Sequence, residues 1–481
     1  MKNKLFKMLS LVLALLMVFS AFTACGEGTE GEKNSVSTDA ESNPSVSEEV
    51  TEKQIAVEPN NYDQEFCAIY NGAAFREGYY FVDEEKYQRG DVLRDAVFER
   101  EQIIEEYLGV DIVAIMADDS YVTPISNAIN AGDDTYQLVM THAYYGIVDF
   151  IVGNRMQDFQ NFYSLQLSDE HWNSTLMEEL AIDDTMYCGY NDFCLASCYL
   201  VGFNKDMVEE YNNHIGNLYE HVRNKTWTLD KLIEYSALVS KDNGDGVWTA
   251  EDTYGFSSLA AMPLISFQVA SGIKLLKQND DGQFYISSMV DTPERIVELD
   301  EKIFNLMNRD ASYKGGFGTE LHLSSNRVLF ELIYNFDLIL TREDDLRIGV
   351  LPYPLYDTNQ EEYYSMNWGG VLMIPTTVKN DDMVGDVIEL LAWHSDSAET
   401  AFYENLLGSK IANAPEDAEM LKIIWDSVVT DMGLTYCSVS GNLSSLLYAI
   451  PTRATSGGAA YATRYKANAR GVEAALKKVF G

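Results

Sequence analysis

Basic residues are scarce in this chain. Its 481 residues include 34 lysines and arginines against 75 aspartates and glutamates, a formal charge of −41. A surface of that sign repels phosphate backbones and anionic lipid headgroups, which argues against nucleic acid as a partner. Most of the acids serve solubility. Cysteine is scarce too, with six. Apart from Cys25, they are Cys67, Cys188, Cys194, Cys198 and Cys437, an odd number that cannot all pair within one chain. Cys188, Cys194 and Cys198 lie close together without a CxxC, among Tyr187, Phe193, Leu195, Tyr199 and Leu200. They read as small core residues rather than a metal or redox site. The six histidines are scattered singly and no HExxH occurs, so nothing resembles a catalytic zinc site. GxSxG, P-loop and GxGxxG motifs are absent. The carboxylate pair of a glycoside hydrolase has no fixed local spacing, so an enzyme of that kind stays open as an alternative.

A membrane span is also missing. A helical span needs about twenty apolar residues, and the run from Met8 to Phe22 is shorter. It follows Lys2, Lys4 and Lys7 and closes on Phe22-Thr23-Ala24-Cys25. A basic end, a short apolar core and small residues before a cut predict a secretion signal over residues 1–24. The cut before Cys25 resembles the lipobox of bacterial lipoproteins, with Phe22 where leucine is usual. That resemblance implies a lipid on the Cys25 thiol and a working protein tethered outside the cytoplasmic membrane. The alternative is an ordinary signal peptide with an incidental cysteine. Loss of the signal leaves 31 basic residues against 75 acidic ones. Residues 25–61 follow as a tether, with nine acids and two lysines between Gly26 and Pro59 and almost no large apolar side chains. Such a segment cannot bury enough apolar surface to offset its chain entropy, and disorder is expected.

Globular sequence runs over 62–481. Hydrophobic residues make up 46% of the chain, enough for a sizeable core. Phe66 to Tyr70 reads as a buried strand, Asp91 to Leu108 as an amphipathic helix stopped by Gly109, and Val110 to Ala114 as a second strand. Ile125 to Ala131 reads as helix and Tyr136 to Met140 as a third strand. This alternation predicts an α/β layer whose binding edge lies at the strands' carboxyl ends. A second α/β body is expected beyond it. Leu195 to Phe203 is strand-like, and Thr228 is an expected N-cap for a helix running to Val239. Helices are expected over Pro293 to Asn308, Asn326 to Leu340, Val384 to His394, Ala398 to Leu407 and Glu416 to Val429. Strands are expected at Ile348 to Leu351 and Val371 to Ile374.

The order of several segments resembles the extracellular solute-binding proteins of ABC importers, in the group that mostly takes up oligosaccharides. Leu108-Gly109-Val110-Asp111-Ile112-Val113 and Thr135-Tyr136-Gln137-Leu138-Val139-Met140 carry the first part. Asp184 to Tyr190 followed by Leu200 to Asp206 is similar to the family's first crossing, and Thr226-Trp227-Thr228-Leu229-Asp230-Lys231-Leu232 to its TWDEL segment. Ile348 to Pro354 resembles the crossing back. Asn367-Trp368-Gly369-Gly370 before Met373-Ile374-Pro375 resembles the return to the ligand, and Gly471 to Leu476 the last helix. The resemblance spans about 400 residues. It implies a two-lobe periplasmic-binding-protein-like fold of type II. Lobe one would be about 62–190 and 354–407, and lobe two about 192–349 and 408–481. Hinges are expected at Tyr190 to Phe193 and Leu351 to Pro354. It also implies a monomer that captures a sugar without breaking a bond and passes it to permease subunits. A binder of peptides or another solute is the other alternative.

A sugar cleft needs flat aromatic faces for ring C–H groups and planar polar groups for hydroxyls. Trp368 is the expected platform, with Asn367 as a hydroxyl partner and Gly369 and Gly370 clearing space. His142, Tyr144 and Tyr145 follow the third strand, and Tyr190, Asn191 and Asp192 lie at the expected crossing. Asn71 and Arg76 follow the first strand, while Tyr461, Arg464 and Tyr465 are weaker candidates. Trp227, Trp393 and Trp425 read as core, and Trp172 is open either way. Lys241 to Asp252 resembles an EF-hand loop. Asn243, Asp245, the Val247 carbonyl and Asp252 would hold calcium, but Lys241 stands where an acid belongs. The loop either binds calcium as a structural ion or is a surface turn that kept its shape. No cofactor is required for capture.

Overall fold

The computed structural model describes residues 55–480, except 73–74, 76–77, 84–85, 118–120, 259–260, 309–311, 314–322, 339–346 and 409–414. The expected signal, Cys25, the tether up to residue 54 and Arg76 therefore lie outside the described residues. No helix among the described residues is long and apolar enough to cross a membrane.

The described strands, in chain order, are β1 (Gln64–Asn71), β2 (Val110–Ala117), β3 (Leu138–His142), β4 (Tyr199–Asn204), β5 (Tyr254–Ser257), β6 (Lys277–Gln278) and β7 (Phe284–Tyr285). They continue with β8 (Ser312–Tyr313), β9 (Val328–Tyr334), β10 (Ile348–Leu351), β11 (Ser365–Met366), β12 (Gly370–Met373) and β13 (Val428–Val429). One sheet has the order β12-β3-β1-β2, parallel except for β12. The other has the order β10-β4-β9-β5-β8. Each sheet anchors one α/β lobe.

Local chemistry explains the clearest elements. The Val92–Leu108 helix starts where the Asp91 side chain accepts the Arg94 N–H, at 3.0 Å. It ends at Gly109, whose φ of 61° is the left-handed conformation that glycine adopts without strain. A Cβ there would also lie 2.5 Å from Asn61 Oδ1. Thr228 caps the Leu229–Val239 helix by accepting the Lys231 N–H.

Two expectations fail. The stretch from Asn326 to Leu340 is not one helix: Val328–Tyr334 forms β9, flanked by β4 and β5, a 3-10 turn follows over 335–338, and 339–340 lie outside the described residues. A short apolar run buried on both faces gives no alternation that would mark it as a strand. The return crossing also comes later than 354. Trp227 Nε1–H donates to the Pro352 carbonyl, Tyr353 Oη–H to that of Pro263, and Tyr363 Oη–H to that of Val222. The Leu355 N–H donates to the Trp227 carbonyl. Residues 352–363 thus pack on the second body, and the chain re-enters the first sheet through Asn367 to Gly370. Leu351 to Pro354 carries β10's end rather than the crossing.

The two described crossings are tied to each other. Gly189 and Leu372 exchange backbone hydrogen bonds of 2.8 and 2.9 Å, and Cys198 bridges Asn367. The Asp396–Gly408 helix packs on Val92–Leu108, and the Pro415–Asp426 helix packs on β10. All five described cysteines are buried and unpaired, as expected of core residues. Burial pushes the Cys188, Cys194 and Cys198 thiols up to about 12.

Candidate functional site

Trp368 sits where the lobes meet. Its N–H donates to the Ser197 carbonyl at 2.7 Å, and the next residue's carbonyl accepts the Ala143 N–H at 2.9 Å. Its indole lies 4.9 Å from the His142 ring, 5.8 Å from Tyr144 and 5.9 Å from Tyr199, centroid to centroid. The row continues both ways. Tyr145 packs edge-on to Tyr144 at 4.8 Å, and the Tyr448 hydroxyl donates to that of Tyr144 at 2.8 Å. Tyr199 leads to Tyr334 at 5.5 Å, and Tyr334 to Phe336 at 5.3 Å. Phe336 stacks on Tyr79 at 5.8 Å.

This row draws on both sheets: His142 ends β3, Tyr199 begins β4 and Tyr334 ends β9. Trp368, Tyr144, Tyr199, Tyr334 and Tyr448 are all half-buried, and Tyr145 is 52% exposed. The faces are therefore neither locked in the core nor scattered on the surface. Beside them, Asn367 is fully buried. Its Oδ1 accepts the Gly369 N–H at 2.9 Å, while its Nδ2 has no hydrogen-bond partner. His142 Nδ1 accepts the Tyr144 N–H at 3.1 Å, which leaves the ring proton to Nε2 in the neutral form.

The glycines after Trp368 have a different role from the one expected. A Cβ on Gly370 would lie 1.9 Å from the Phe75 ring, and one on Gly369 2.7 Å from Ser197 Cβ. They make room for these side chains rather than for a ligand.

Tyr190, Asn191 and Asp192 line a cavity of about 310 Å³ with Trp172, Glu399, Tyr403 and Trp425, and Trp368 does not line it. The Tyr190 hydroxyl and both polar atoms of the Asn191 side chain are buried without a partner. Burial, with Glu399 adding its charge, lifts Asp192 to about 7, against the pull of His171. A larger concavity, of about 700 Å³, lies around Glu178, Asp183, Lys274 and Asp281 and has no aromatic face in its lining. The aromatic row is the better match for a sugar, since size without stacking faces gives little purchase on a pyranose.

No protein-family model matches the chain, and no curated protein matches it. Solved structures do. The sugar-binding protein MalE of Xanthomonas citri aligns at a TM-score of 0.58 and 12% identity, over 86% of this chain and 98% of that one. The cyclic α-maltosyl-1,6-maltose binding protein of Arthrobacter globiformis aligns at 0.57 and 14%, over 86% and 99%. An ABC substrate-binding protein of Listeria monocytogenes, solved with cycloalternan, aligns at 0.55 and 12%, over 86% and 98%. The fold is the two-lobe fold of these solute-binding proteins.

Against that fold, the structure brings Trp368, Asn367, His142, Tyr144 and Tyr145 together and sets Tyr190, Asn191 and Asp192 in the separate cavity. Asn71 ends β1 and is buried, with only 1% exposure. Tyr461 is buried, its hydroxyl paired with that of Ser288 at 2.8 Å, on the Tyr461–Phe480 helix that also carries Arg464 and Tyr465. Trp172 is core, with Nε1–H donating to Glu389 at 2.9 Å. Tyr199, Tyr334, Phe336, Tyr448 and Tyr79 are new members of the row. The end of a correctly assigned β9 would have pointed to Tyr334 and Phe336.

The residues at 242–252 close on themselves. Asp252 Oδ1 accepts the Asn243 N–H at 2.8 Å and its Oδ2 the Thr249 N–H at 2.5 Å. Asp242 accepts from Gly244 and Gly246, Asn243 from Asp245, and Asp245 from Val247. Backbone N–H groups already engage each of these carboxylates, so the turn has internal partners for the groups a calcium ion would use.

Proposed function

We propose that this protein is a solute-binding protein that captures a sugar, an oligosaccharide, between its lobes and hands it to an ABC permease. The observation that carries the reading is the half-buried aromatic row centred on Trp368, drawn from both lobes. Trp368 and Tyr144 supply faces, Asn367 Nδ2 supplies a free donor, and the tyrosine hydroxyls supply further polar contacts. Because the row draws on both lobes, a ligand on it favours closure by the contacts it gains only in the closed form. Binding breaks no bond and needs no cofactor, and the internal hydrogen bonds of the 242–252 residues support reading them as a surface turn rather than a calcium loop. The Listeria monocytogenes neighbour, solved with cycloalternan, and the cyclic α-maltosyl-1,6-maltose binding protein of Arthrobacter globiformis support the oligosaccharide class. Signal cleavage before Cys25, lipid on its thiol and action as a monomer outside the cytoplasmic membrane complete the reading.

A screen of neutral oligosaccharides against peptides, by thermal shift and then calorimetry, tests it. Binding of a sugar is expected. Binding of peptides alone, or release of cleaved glycan, would reject the reading in favour of a peptide binder or a hydrolase. Stacking on a flat ring contributes about 1–3 kcal/mol, by analogy with base stacking. Trp368→Ala is therefore expected to weaken the sugar about tenfold or more while the unliganded melting temperature holds. Cys25→Ser is expected to leave the protein unprocessed or released to the medium, and processed, membrane-bound variant would refute the anchor.

A further inference from the structure

We propose that Asp192, Asp396 and Glu399 form a binding site for a calcium-sized divalent cation at the crossing between the lobes. The three carboxylates each place an oxygen within 4.8 Å of the others. Two oxygens on one ion can stand no further apart than twice the metal–oxygen distance. That limit is about 4.6–5.2 Å for calcium and about 4.0–4.2 Å for magnesium. The point central to all three oxygens lies at most about 2.8 Å from each, so small side-chain rotations bring them onto calcium and larger ones are needed for magnesium.

The helix geometry explains only part of this cluster. Asp396 and Glu399 stand three residues apart on one face of the first turn of the Asp396–Gly408 helix, where acids are favoured by the helix dipole. Asp192 comes from the crossing and has no such reason to be there. No lysine or arginine forms an ion pair with Asp192, Asp396 or Glu399 among the described residues. His171 and Lys422 draw on Asp192 and Glu399 from further off, while Glu170 and Asp426 add negative charge.

A second observation points to a ligand independently. The Tyr190 hydroxyl, on a side chain 6% exposed, and Asn191 Oδ1, on one 2% exposed, are buried and without partners. Both residues line the same cavity as Asp192 and Glu399. Buried polar atoms are nearly always paired. A carboxamide oxygen such as Asn191 Oδ1 is a neutral ligand that fills out calcium's six to eight ligands beside carboxylates, and the Tyr190 hydroxyl can donate to a water on the ion. Burial first, then Cys194 and Cys198, push the Tyr190 hydroxyl away from ionisation, and Glu399 and Asp192 add to this, so that oxygen lies within the field of the cluster.

The consequence is mechanical. Asp192 belongs to the crossing and Asp396 and Glu399 to a first-lobe helix, while Trp425, across the cavity, belongs to the helix packed on β10. A cation held here pins the crossing to the first lobe. This assignment stands apart from the sugar reading and does not need it.

The test uses the full chain stripped with chelator and titrated with calcium chloride, then magnesium chloride, by calorimetry and thermal shift. One calcium per chain is expected, with a rise in melting temperature and a magnesium affinity at least tenfold weaker. Asp192→Asn and Glu399→Gln are each expected to weaken calcium tenfold or more, and Asp245→Asn, in the 242–252 turn, to leave it unchanged. Asp396→Asn, at an exposed position, gives the same loss should the more buried variants fail to fold. Terbium emission excited through tryptophan is expected in the wild type and lost in Asp396→Asn. No calcium binding by the wild type, binding that survives Asp396→Asn, or binding removed by Asp245→Asn overturns the proposal.

Discussion

Two regions of this protein bury acids, and they do so in opposite ways. Asp417 is fully buried, and three donors reach it: Lys205 Nζ at 2.5 Å, the Tyr219 hydroxyl at 2.7 Å and the Val350 N–H at 3.1 Å. Asp192 and Glu399 are half-buried beside each other and Asp396, with the Tyr403 hydroxyl on Glu399 and His171 drawing on Asp192 but no lysine or arginine ion pair. The first arrangement holds the Pro415–Asp426 helix to β10 and to the Lys205–Glu210 and Leu218–Arg223 helices, and leaves nothing unsatisfied at its centre. The second keeps charge and orphan oxygens together beside a cavity. Compensated acids of the first kind are structural; uncompensated ones are where a ligand has something to offer.

That contrast breaks first at Asp417. Removing one member of a buried ion pair leaves the other charge stranded, at a cost of about 3–5 kcal/mol. Asp417→Ala is expected to lower stability by that order in chemical denaturation, and a loss below about 1 kcal/mol would show the pair to be dispensable. Asp192→Asn should act with the opposite sign when measured in chelator. The folded carboxyl titrates at about 7 against an ordinary 3.8. Between those values the folded state holds a proton that the unfolded chain has released, so stability falls as pH rises through the window and the cost is complete above it. The variant is expected to be more stable than the wild type at pH 8 and to lose this slope, and a wild-type slope in the variant would assign it elsewhere.

Glu389 is the intermediate case, and the smallest effect is expected there. It is buried between His171 Nε2 at 2.8 Å and Trp172 Nε1 at 2.9 Å. Burial alone would lower His171, but the bond and charge of Glu389, with Asp169 and Asp192 behind it, outweigh burial and raise it. The pair's contribution is fully present below the ordinary value of 6.5 and is lost as pH rises through the raised folded value. His171→Gln is expected to flatten the stability–pH curve above that value. An unchanged curve would mean that the ring stays neutral throughout.

Much of the first lobe was legible because its elements announce themselves. The Val92–Leu108 helix carries its cap, its stripe and its terminal glycine in the sequence, and β1 to β3 alternate with helices. Trp368 was legible because a tryptophan between an asparagine and two glycines lies off any helical stripe. The rest of the row was hidden by one error. With Val328–Tyr334 read as helix, Tyr334 and Phe336 had no strand end to occupy, and burial on both faces had erased the period that would have corrected it. Tyr448 was hidden differently. It lies about eighty residues beyond Trp368, and only packing brings its hydroxyl to Tyr144. The glycines at 369 and 370 answer to packing rather than to a ligand, since Phe75 and Ser197 need the space.

The paired crossings have a geometric result of their own. Gly189 meets Leu372 and Cys198 meets Asn367, so the two straps are fastened together at both ends. Between the fastenings one strap runs nine residue steps and the other five. Two strips of unequal length riveted at both ends cannot lie flat: the longer one must bow. The bow is the stretch that carries Tyr190, Asn191 and Asp192. Any change in the angle between the lobes has to be taken up by the short strap as bending and by the long one as slack. That longer strap is also part of the cavity wall, through Tyr190, Asn191 and Asp192.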